Sequence, residues 1–476
     1  MSYEPRFRRT KIVATLGPVS SNESTLREMI LAGVNVVRIN SAHGTPESRG
    51  EMIDLVGRLR DELHQHVAVL VDLQGPRIRV GHLSEPLQLA EGAEVVFAPE
   101  GNARGSEIPT AYEALAGDVR VGSRILLDDG LLSVEITRVN GDRVAGVVRL
   151  GGVLRSNKGI NLPDDHVSAP AITDKDRADI ELALEHNADL IGISFVSRAE
   201  DVEEVRSLVG SGASIVAKIE RTEALSDIDS IVQAADAIMV ARGDLGVELP
   251  FEEVPLTQKH LIEVAMRNCR PVITATQMLE SMVRNPRPTR AETSDVANAI
   301  LDGTDAVMLS AETAVGEYPV EVVRAMVRII NEVEQAILKD GMPWGRCKGD
   351  GKIRESHEIE DAIALAAIAA GQSLNAPLIL CVTKSGFTAR TIAANRPPTP
   401  VLGLSTEWAT CRFLALVWGV LPVQADALPS YETLLDVARG KLLDRDYVRT
   451  GDRIIVTAGV PFEVPGTTNL IKIETV

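Results

Sequence analysis

The sequence has few aromatic residues and few cysteines, and each shortage argues against a class of function. Only 3% of its 476 residues are aromatic, and the formal net charge is −18. Proteins that bind nucleic acid use cations against the phosphates and often stack bases on aromatic rings, so we expect no nucleic-acid partner. The four cysteines lie far apart and form no metal-ligand spacing, which favours a reduced, cytoplasmic protein: Cys269, Cys347, Cys381 and Cys411.

The chain also lacks a long apolar run. Its N-terminal stretch carries basic residues without an apolar core behind them, and no segment approaches the roughly 18 consecutive apolar residues of a membrane helix. We therefore expect no membrane segment. The length suggests roughly three domains, each large enough to bury a core of its own.

What the chain does contain is a repeated alternation of apolar, β-branched runs with amphipathic segments. Predicted strands lie at Lys11–Leu16, Val34–Ile39, Val67–Leu73, Asp189–Val196, Ser214–Ile219, Ala237–Val240, Pro271–Thr276 and Asp305–Leu309. Strands that are buried on both faces and alternate with helices favour a parallel sheet, and eight such units predict a closed (β/α)8 TIM barrel. An open Rossmann-like sheet is the alternative, but no G-x-G-x-x-G motif follows any of these strands.

The alternation is interrupted after the third strand. From Pro76 to about Pro170 the segments are short and carry turn signals at Asp129-Gly130 and Asn140-Gly141, the second typical of a type I′ hairpin. This pattern predicts an inserted all-β domain. A Gly-rich linker beyond Gly341 leads to a further α/β region. The predicted division is a catalytic barrel at residues 1–75 and 171–340, a β lid at 76–170 and a C-terminal α/β regulatory domain at 341–476.

Active sites of such barrels lie at the C-terminal ends of the strands, so the residues that end each strand indicate the chemistry. Lys218 and Glu220 are two residues apart and therefore share one side of a strand, and Asp244 follows the next strand. Two carboxylates there can share a hard cation, and ordinary salt bridges are the alternative. The rim residues supply cations for a highly charged anion, carboxylates for Mg²⁺ and a hydroxyl for proton transfer: Arg38, Arg79, Lys218, Glu220, Asp244 and Thr276.

A second candidate site lies in the C-terminal region. Thr383, Lys384, Ser385, Gly386 and Thr388 belong to a turn between a predicted strand and a predicted helix. Backbone amides, hydroxyls and a helix N-terminus favour binding of a phosphate. A capped helix with ordinary turn residues is the alternative.

Nine segments of the chain resemble the pyruvate kinase family in order and spacing, and the resemblance covers essentially the whole chain: TKIVATLGP, RINSAHG, QGPRIR, NKGINLP, AKIE, MVARGDLG, ATQMLESM, NPRPTRAE and MLSAETA. The resemblance implies transfer of a phosphoryl group from phosphoenolpyruvate to ADP, giving pyruvate and ATP, with Mg²⁺ or Mn²⁺. It also implies a homotetramer in which the Thr383–Thr388 turn binds the phosphate of a sugar-phosphate or nucleotide effector.

The resemblance also implies individual roles at the rim. Glu220 and Asp244 would hold the Mg²⁺, Lys218 would neutralise the transferring phosphoryl group, and Arg38 would clamp the phosphate. Thr276 would serve protonation of the enolate through water. Further implied residues are the substrate-binding Ala241, Arg242, Gly243 and Ser310, and the nucleotide-side His43, Arg79 and Lys158.

The monovalent-cation site of the family is only partly retained. Asn40 and Asp72 are present, but Ala42 replaces the usual serine, and Arg77 stands where K⁺-requiring members carry a glutamate. A guanidinium is always charged, so we predict that K⁺ binds weakly and is not strictly required.

Two other functions remain compatible with the rim. A Mg²⁺-dependent pyruvate-enolate lyase would use the same carboxylates and arginine without a lid, Lys218 or a nucleotide. A non-catalytic sugar-phosphate sensor would use the C-terminal turn, although the retained Lys218, Glu220, Asp244 and Thr276 argue against it.

Overall fold

The first described stretch of the chain contains three strands and two helices. The structure, a computed structural model, describes residues 8–76, 78–163, 165–340, 358–425, 431–444, 446–459 and 468–476. The elements are β1 (Lys11–Thr15), α1 (Glu23–Ala32), β2 (Val36–Asn40), α2 (Pro46–Glu62) and β3 (Ala68–Asp72). Helix α1 begins directly after Asn22, whose side chain caps it by accepting a hydrogen bond from the Thr25 amide at 2.9 Å.

A β module follows β3 directly and has its own apolar core. Its elements are β4 (Leu87–Leu89), β5 (Glu94–Pro99), β6 (Ile108–Thr110), α3 (Leu115–Asp118), β7 (Arg124–Leu127), β8 (Leu132–Asn140), β9 (Arg143–Leu150), β10 (Gly152–Leu154) and β11 (Ile160–Asn161), with a 3-10 turn at Glu100–Asn102. Six strands pair in the order β11-β7-β8-β9-β5-β6, and β4 pairs with β10. Buried Phe97, Ile125 and Leu127 belong to its core. The prediction of an inserted all-β domain is confirmed.

The predicted turn type of the β8–β9 hairpin is wrong, although the hairpin itself is present. Asn140 pairs with Arg143, so the two central residues of the turn are Gly141 and Asp142. A type I′ turn needs a positive φ at both central residues, whereas only Gly141 of this pair has one, at 59°. The glycine stands at the first central position, one residue earlier in the turn than the Asn-Gly pattern indicates.

The alternation of helices and strands resumes after the β module. The elements are α4 (Asp174–Glu185), β12 (Leu190–Ile193), α5 (Ala199–Val209), β13 (Ser214–Ile219), α6 (Glu223–Ser226), α7 (Ile228–Ala234), β14 (Ala237–Ala241), α8 (Arg242–Glu248), α9 (Val254–Arg267), β15 (Val272–Ala275), a 3-10 turn (Glu280–Val283), α10 (Arg290–Asp302), β16 (Ala306–Leu309), α11 (Ala311–Ala314) and α12 (Pro319–Asp340). Strands β1, β2, β3 and β12 to β16 form a closed parallel barrel in chain order, and β1 pairs with β16. The predicted barrel is confirmed, and the open-sheet alternative is wrong.

Burial on both faces of the barrel strands explains their continuous apolar sequences. Ile12 and Ala14 belong to the core cluster that includes the surrounding helices, whereas Val13 between them belongs to a second cluster with Val36 and Leu70. Because successive strand residues point to opposite faces, both faces must be apolar. The polar residues therefore collect where the strands end.

The C-terminal region forms a five-stranded sheet with helices. Its elements are α13 (Ile359–Ser373), β17 (Ile379–Val382), α14 (Phe387–Ala394), β18 (Val401–Ser405), α15 (Trp408–Leu414), β19 (Val420–Gln424), α16 (Tyr431–Asp444), β20 (Arg453–Gly459) and β21 (Thr468–Thr475). The order is β19-β18-β17-β20-β21, with β21 antiparallel to β20. The predicted α/β fold of this region is confirmed, while the linker beyond Gly341 lies largely outside the described residues.

Buried polar contacts join this sheet to the barrel. Asp305, just before β16, accepts hydrogen bonds from both Nη atoms of Arg396 at 3.2 and 3.0 Å and from the Trp418 amide at 3.0 Å. Lys11 of β1 donates to the carbonyl of Val420 at 2.7 Å. Residues at the starts of β1 and β16 are thus bonded directly to the C-terminal region.

Two further predictions from composition can be compared with the described residues. No helix among them is long and apolar enough to cross a membrane. Cys269, Cys381 and Cys411 are buried free thiols, and Cys347 lies outside the described residues.

Candidate active site

Charged side chains from three barrel strands meet at the C-terminal rim. Asp72, the last residue of β3, accepts hydrogen bonds from Arg38 of β2, with Oδ2 2.7 Å from Nε and 2.6 Å from Nη2. Its Oδ1 lies 3.1 Å from Nζ of Lys218 on β13. Asp72 is therefore a buried carboxylate that contacts two cations. Its strand, β3, lies between β2 and β12 in the barrel.

Lys218 is held on three sides. Its Nζ lies 2.8 Å from Oε1 of Glu220 and donates to Oγ of Ser194 at 2.7 Å, in addition to the contact with Asp72. The other oxygen of Glu220, Oε2, accepts the amide of Phe195 at 2.8 Å. Phe195 adopts a positive φ of 57°, a backbone conformation that β-carbon crowding normally disfavours. The turn after β12 thus orients both members of the Lys218–Glu220 pair.

The electrostatics of the network keep Asp72 and Lys218 charged. Burial alone raises the pKa of Asp72, but Lys218 and Arg38 outweigh it, and the pKa lies below its ordinary value. Burial lowers the pKa of Lys218, but Asp72 and Glu220 outweigh it and raise the pKa above its ordinary value. For Glu220, burial raises the pKa, and nearby Asp244 raises it further against the effect of Lys218.

Glu220 and Asp244, the carboxylates predicted to hold a divalent cation, lie close enough to interact electrostatically. Glu220 follows β13, and Asp244 lies in the first turn of α8, directly after the neighbouring β14. Among the described residues, no group of three or more His, Cys, Asp or Glu side chains could hold a metal ion by itself. Two oxygen ligands fit Mg²⁺, which keeps several waters and is commonly completed by substrate phosphates.

Thr276 is hydrogen-bonded to the turn that contains the predicted substrate-binding residues Ala241, Arg242 and Gly243. Its Oγ1 accepts the amide of Gly243 at 2.8 Å and donates to the Ala275 carbonyl at 2.7 Å. Arg242 is turned towards α10, with Nη1 2.8 Å from Asp295. In this arrangement the Gly243 amide already donates to the Thr276 hydroxyl.

Ser310, directly after β16, lies in a similarly ordered turn. Its amide donates to Oε2 of Glu312 at 2.6 Å, and Oε1 of Glu312 accepts the Leu279 amide at 3.0 Å. The buried hydroxyl of Ser310 has no hydrogen-bond partner among the described residues. The buried Glu312 carboxylate thus links the segments that follow β15 and β16, and it leaves the Ser310 hydroxyl unpaired among the described residues.

A cleft of about 390 Å³ separates the β module from the rim. Arg79 and Lys158 line it from the β-module side, and Asp244 lines it from the barrel side. Lys158 pairs there with Asp128, Nζ to Oδ1, at 2.7 Å. His43 is exposed and is not among the described residues that line this cleft.

The residues expected at a K⁺ site have other partners. The Oδ1 of Asn40 accepts the Ala42 amide at 3.0 Å, and Asp72 is held by the two cations described above. Arg77, the expected replacement for the ion, lies outside the described residues.

The C-terminal turn is ordered by its own hydroxyls. Thr383 Oγ1 accepts the Gly386 amide at 2.9 Å, and Gly386 has a positive φ of 77° immediately before α14. Thr388 is buried and hydrogen-bonded to Thr468. Lys384 and Ser385 are the exposed members of the turn.

Sequence reasoning missed several residues of the site. Thr15, the last residue of β1, accepts Nη1 of Arg38 at 3.1 Å. Arg221 and Glu248 line the cleft, and the Arg221 guanidinium lies 5.2 Å from the ring centre of Phe195. Thr15 could have been identified from its position at a strand end, whereas Glu248, at the end of a helix, has no such signal.

Comparison with known proteins agrees with the geometry. Two family models match, "Pyruvate kinase, barrel domain" over residues 7–323 and "Pyruvate kinase, alpha/beta domain" over residues 361–474. A pyruvate kinase of Geobacillus stearothermophilus is 44% identical, with 98% of this chain and 80% of that protein covered. A pyruvate kinase of Clostridium acetobutylicum is 40% identical, with 99% and 100% covered. A pyruvate kinase 2 of Synechocystis sp. is 42% identical, with 100% and 80% covered. The chain therefore belongs to the pyruvate kinase family.

Proposed function

We propose that this protein transfers the phosphoryl group of phosphoenolpyruvate to ADP, giving pyruvate and ATP. The observation that carries the proposal is the position of Lys218, buried between Asp72, Glu220 and Ser194 at the rim. A lysine kept charged at the ends of parallel barrel strands suits a reaction in which a highly charged group moves. Membership of the pyruvate kinase family agrees with it.

The reaction breaks the P–O bond of the enol phosphate and forms a P–O bond to the terminal phosphate of ADP. The enolate left behind takes up a proton at its methylene carbon. Phosphoryl transfer needs little covalent help, but it needs fixed positive charge around the moving group. Lys218 and Arg38 supply that charge, and both are oriented by Asp72.

The residues present fit a divalent cation held by Glu220 and Asp244. When bound, Mg²⁺ or Mn²⁺ would neutralise negative charge on the substrate and lower the energy of the transition state. Glu220 is already oriented by Lys218 and the Phe195 amide. Burial raises the pKa of Glu220, so a cation there would also stabilise its ionised form.

Thr276 is the residue we assign to proton delivery. Its hydroxyl bridges the Gly243 amide and the Ala275 carbonyl, so it lies at the turn that would receive the substrate carboxylate. We assign the amides of the Ala241–Asp244 turn to that carboxylate. Binding would then exchange the Thr276–Gly243 bond for a bond to substrate and free the hydroxyl.

The β module would act as a lid, with the barrel (residues 1–75 and 171–340) carrying catalysis. Arg79 and Lys158 face Asp244 across the cleft, so closure would bring two cations to the nucleotide phosphates. Excluding water directs the phosphoryl group to ADP rather than to hydrolysis. We also assign His43 to the nucleotide side of the site.

A coupled assay tests the reaction. Purified enzyme should form pyruvate and ATP in equal amounts from phosphoenolpyruvate and ADP with Mg²⁺, and Lys218→Met should lose at least about a thousandfold in turnover, which corresponds to about 4 kcal/mol. Lys472→Met, which removes an exposed lysine, is the matched control. ATP-free cleavage of a carbon–carbon bond would favour the lyase, and the absence of any turnover would favour the sensor.

We further propose that residues 341–476 regulate the enzyme through the Thr383–Thr388 turn. Exposed Lys384 and Ser385 stand at the start of α14, where a phosphate of a sugar-phosphate or nucleotide effector would meet charge and amides. Thr388 already bonds to Thr468, so the effector would have to compete for its hydroxyl. Assembly as a homotetramer and location in the cytoplasm complete the proposal.

A further inference from the structure

A second pocket, of about 570 Å³, lies between the barrel and the C-terminal sheet. Its size falls within the range of small-molecule sites. The barrel contributes the end of α2 and the segment before β3, and the C-terminal sheet contributes residues of α15, β19 and α16. The barrel residues are Arg60, Asp61, His64, Gln65 and His66, and the others are Trp408, Arg412, Val423, Gln424 and Lys441.

The lining of this junction pocket is basic, although the whole chain carries a net charge of −18. Arg60 and Arg412 come from opposite sides and share the carboxylate of Asp189, with Nη–Oδ distances of 2.8 and 3.2 Å. Lys441 donates to the carbonyl of Gln424 at 2.6 Å, a contact that brings no negative charge. One shared carboxylate leaves a surplus of positive charge, and Asp61 is the sole acidic residue among the described lining residues.

Arg60 is also incompletely hydrogen-bonded. The side chain is buried, with 8% exposed, and its Nε has no hydrogen-bond partner among the described residues. A buried donor left without an acceptor is costly. Because this Nε is buried, Arg60 adds positive charge beside the pocket, while the less buried Arg412 and Lys441 are the cations that a ligand can reach.

An aromatic wall adjoins the cations. Trp408 is half exposed, its ring centre lies 5.9 Å from that of His66, and the Arg412 guanidinium lies 6.0 Å from it. A large exposed ring beside cations offers apolar contact to the carbon skeleton of an anionic ligand. The pocket therefore combines a positively charged subsite for an anion with an apolar wall.

We propose that the junction pocket binds a small phosphomonoester. Its phosphate would be bonded by Arg412 and Lys441, and its carbon skeleton would pack against Trp408. A phosphate group carries nearly two negative charges at neutral pH and three acceptor oxygens, which matches a surplus of guanidinium and ammonium donors. Because the pocket is also lined by His64 and His66 of the barrel, such a ligand would touch both parts, and its binding would stabilise their association.

Titration of Trp408 fluorescence tests the proposal, with ribose 5-phosphate, inorganic phosphate and ribose as probes. The phosphorylated sugar should change the fluorescence and raise the Tm, and Trp408→Phe should lose the optical signal while keeping the Tm shift. Arg412→Gln combined with Lys441→Gln should weaken binding at least tenfold. Arg439→Gln, a change at a partly exposed position on the same helix α16, should leave it within twofold.

Four outcomes separate the possibilities. Equal affinity in the double variant and the unmodified protein would overturn the proposal, as would ribose binding as tightly as ribose 5-phosphate. Loss of the signal in Lys384→Glu would also overturn it, because binding would then belong to the Thr383–Thr388 turn. Tight binding of inorganic phosphate alone would support the phosphate subsite and identify the free ion as ligand. Lys441→Gln alone serves if the double variant does not fold, since Lys441 bonds to a backbone carbonyl.

Discussion

At the scale of single residues, Asp72 links the parts of the site that carry charge. It lies between Arg38 and Lys218, and both cations would be left less oriented without it. The resemblance to the family places Asp72 at a K⁺ site, but a carboxylate that already faces two cations has less negative charge to offer a third. This geometry agrees with the prediction that the protein does not strictly require K⁺.

The metal assignment can be tested at Glu220 and Asp244. Glu220→Gln and Asp244→Asn keep the side-chain shapes but each removes one of two carboxylates, so turnover at ordinary Mg²⁺ should be nearly abolished. Binding of Mn²⁺, measured by electron paramagnetic resonance, should weaken at least about tenfold, or about 1.4 kcal/mol. Exposed Glu252→Gln should behave like the unmodified protein. Unchanged Mn²⁺ affinity in both variants would contradict the assignment.

The K⁺ prediction concerns Arg77. In buffer whose only monovalent cation is a bulky organic one, the enzyme should retain nearly full turnover, because the guanidinium supplies the charge that the ion otherwise provides. Arg77→Glu should lose that activity and recover it when K⁺ is added. A large rise in turnover of the unmodified enzyme on adding K⁺ would reject the idea.

At the scale of helices and strands, sequence patterns predicted the positions of the barrel strands correctly but not the conformation of the turns. Alternation of apolar runs located the eight barrel strands, because burial on both faces leaves a continuous signal. The conformation of the Gly141 turn and the hydrogen bond from Gly243 to Thr276 depend on backbone angles and on distant partners. Such partners, like Glu312 for Leu279, carry no local pattern.

The proposed regulation through the turn before α14 can be tested by mutation. If the Thr383–Thr388 turn binds an effector phosphate at the start of α14, Lys384→Glu should abolish activation by phosphorylated metabolites through like-charge repulsion. Turnover at saturating substrate should not change, because the turn is not among the described residues that line the cleft at the rim. Lys472→Glu provides the same charge change elsewhere. Activation curves that coincide for Lys384→Glu and the unmodified enzyme would refute the proposal.

At the scale of the whole molecule, a buried ion pair fixes the C-terminal sheet to the barrel. Arg396 and Asp305 are both about 95% buried, and Asp305 also accepts amides of Trp418 and Val272. Removing one partner leaves an uncompensated buried charge, whereas removing both does not. The association of the two parts therefore depends strongly on this pair.

Arg396→Met should lower the free energy of unfolding by about 3–5 kcal/mol, the usual cost of breaking a buried pair. Calorimetry should then show the C-terminal sheet and the barrel unfolding in separate transitions. The double variant Arg396→Met with Asp305→Asn should lose less than the sum of the single variants. Strict additivity, or a loss no larger than that of Arg439→Met at a partly exposed position, would show that the pair does not hold the two parts together.

The pairing of β1 with β16 has a consequence for how the chain is made. Lys11 pairs with Ala306, so the ribosome adds roughly 300 residues after the first strand before its partner exists, about 15–60 s at ordinary rates of synthesis. Throughout that time the free edge of β1 presents unpaired backbone groups, a template for pairing with other chains. Nascent chains that stall before residue 306 cannot close the barrel, and they keep this edge of β1 unpaired.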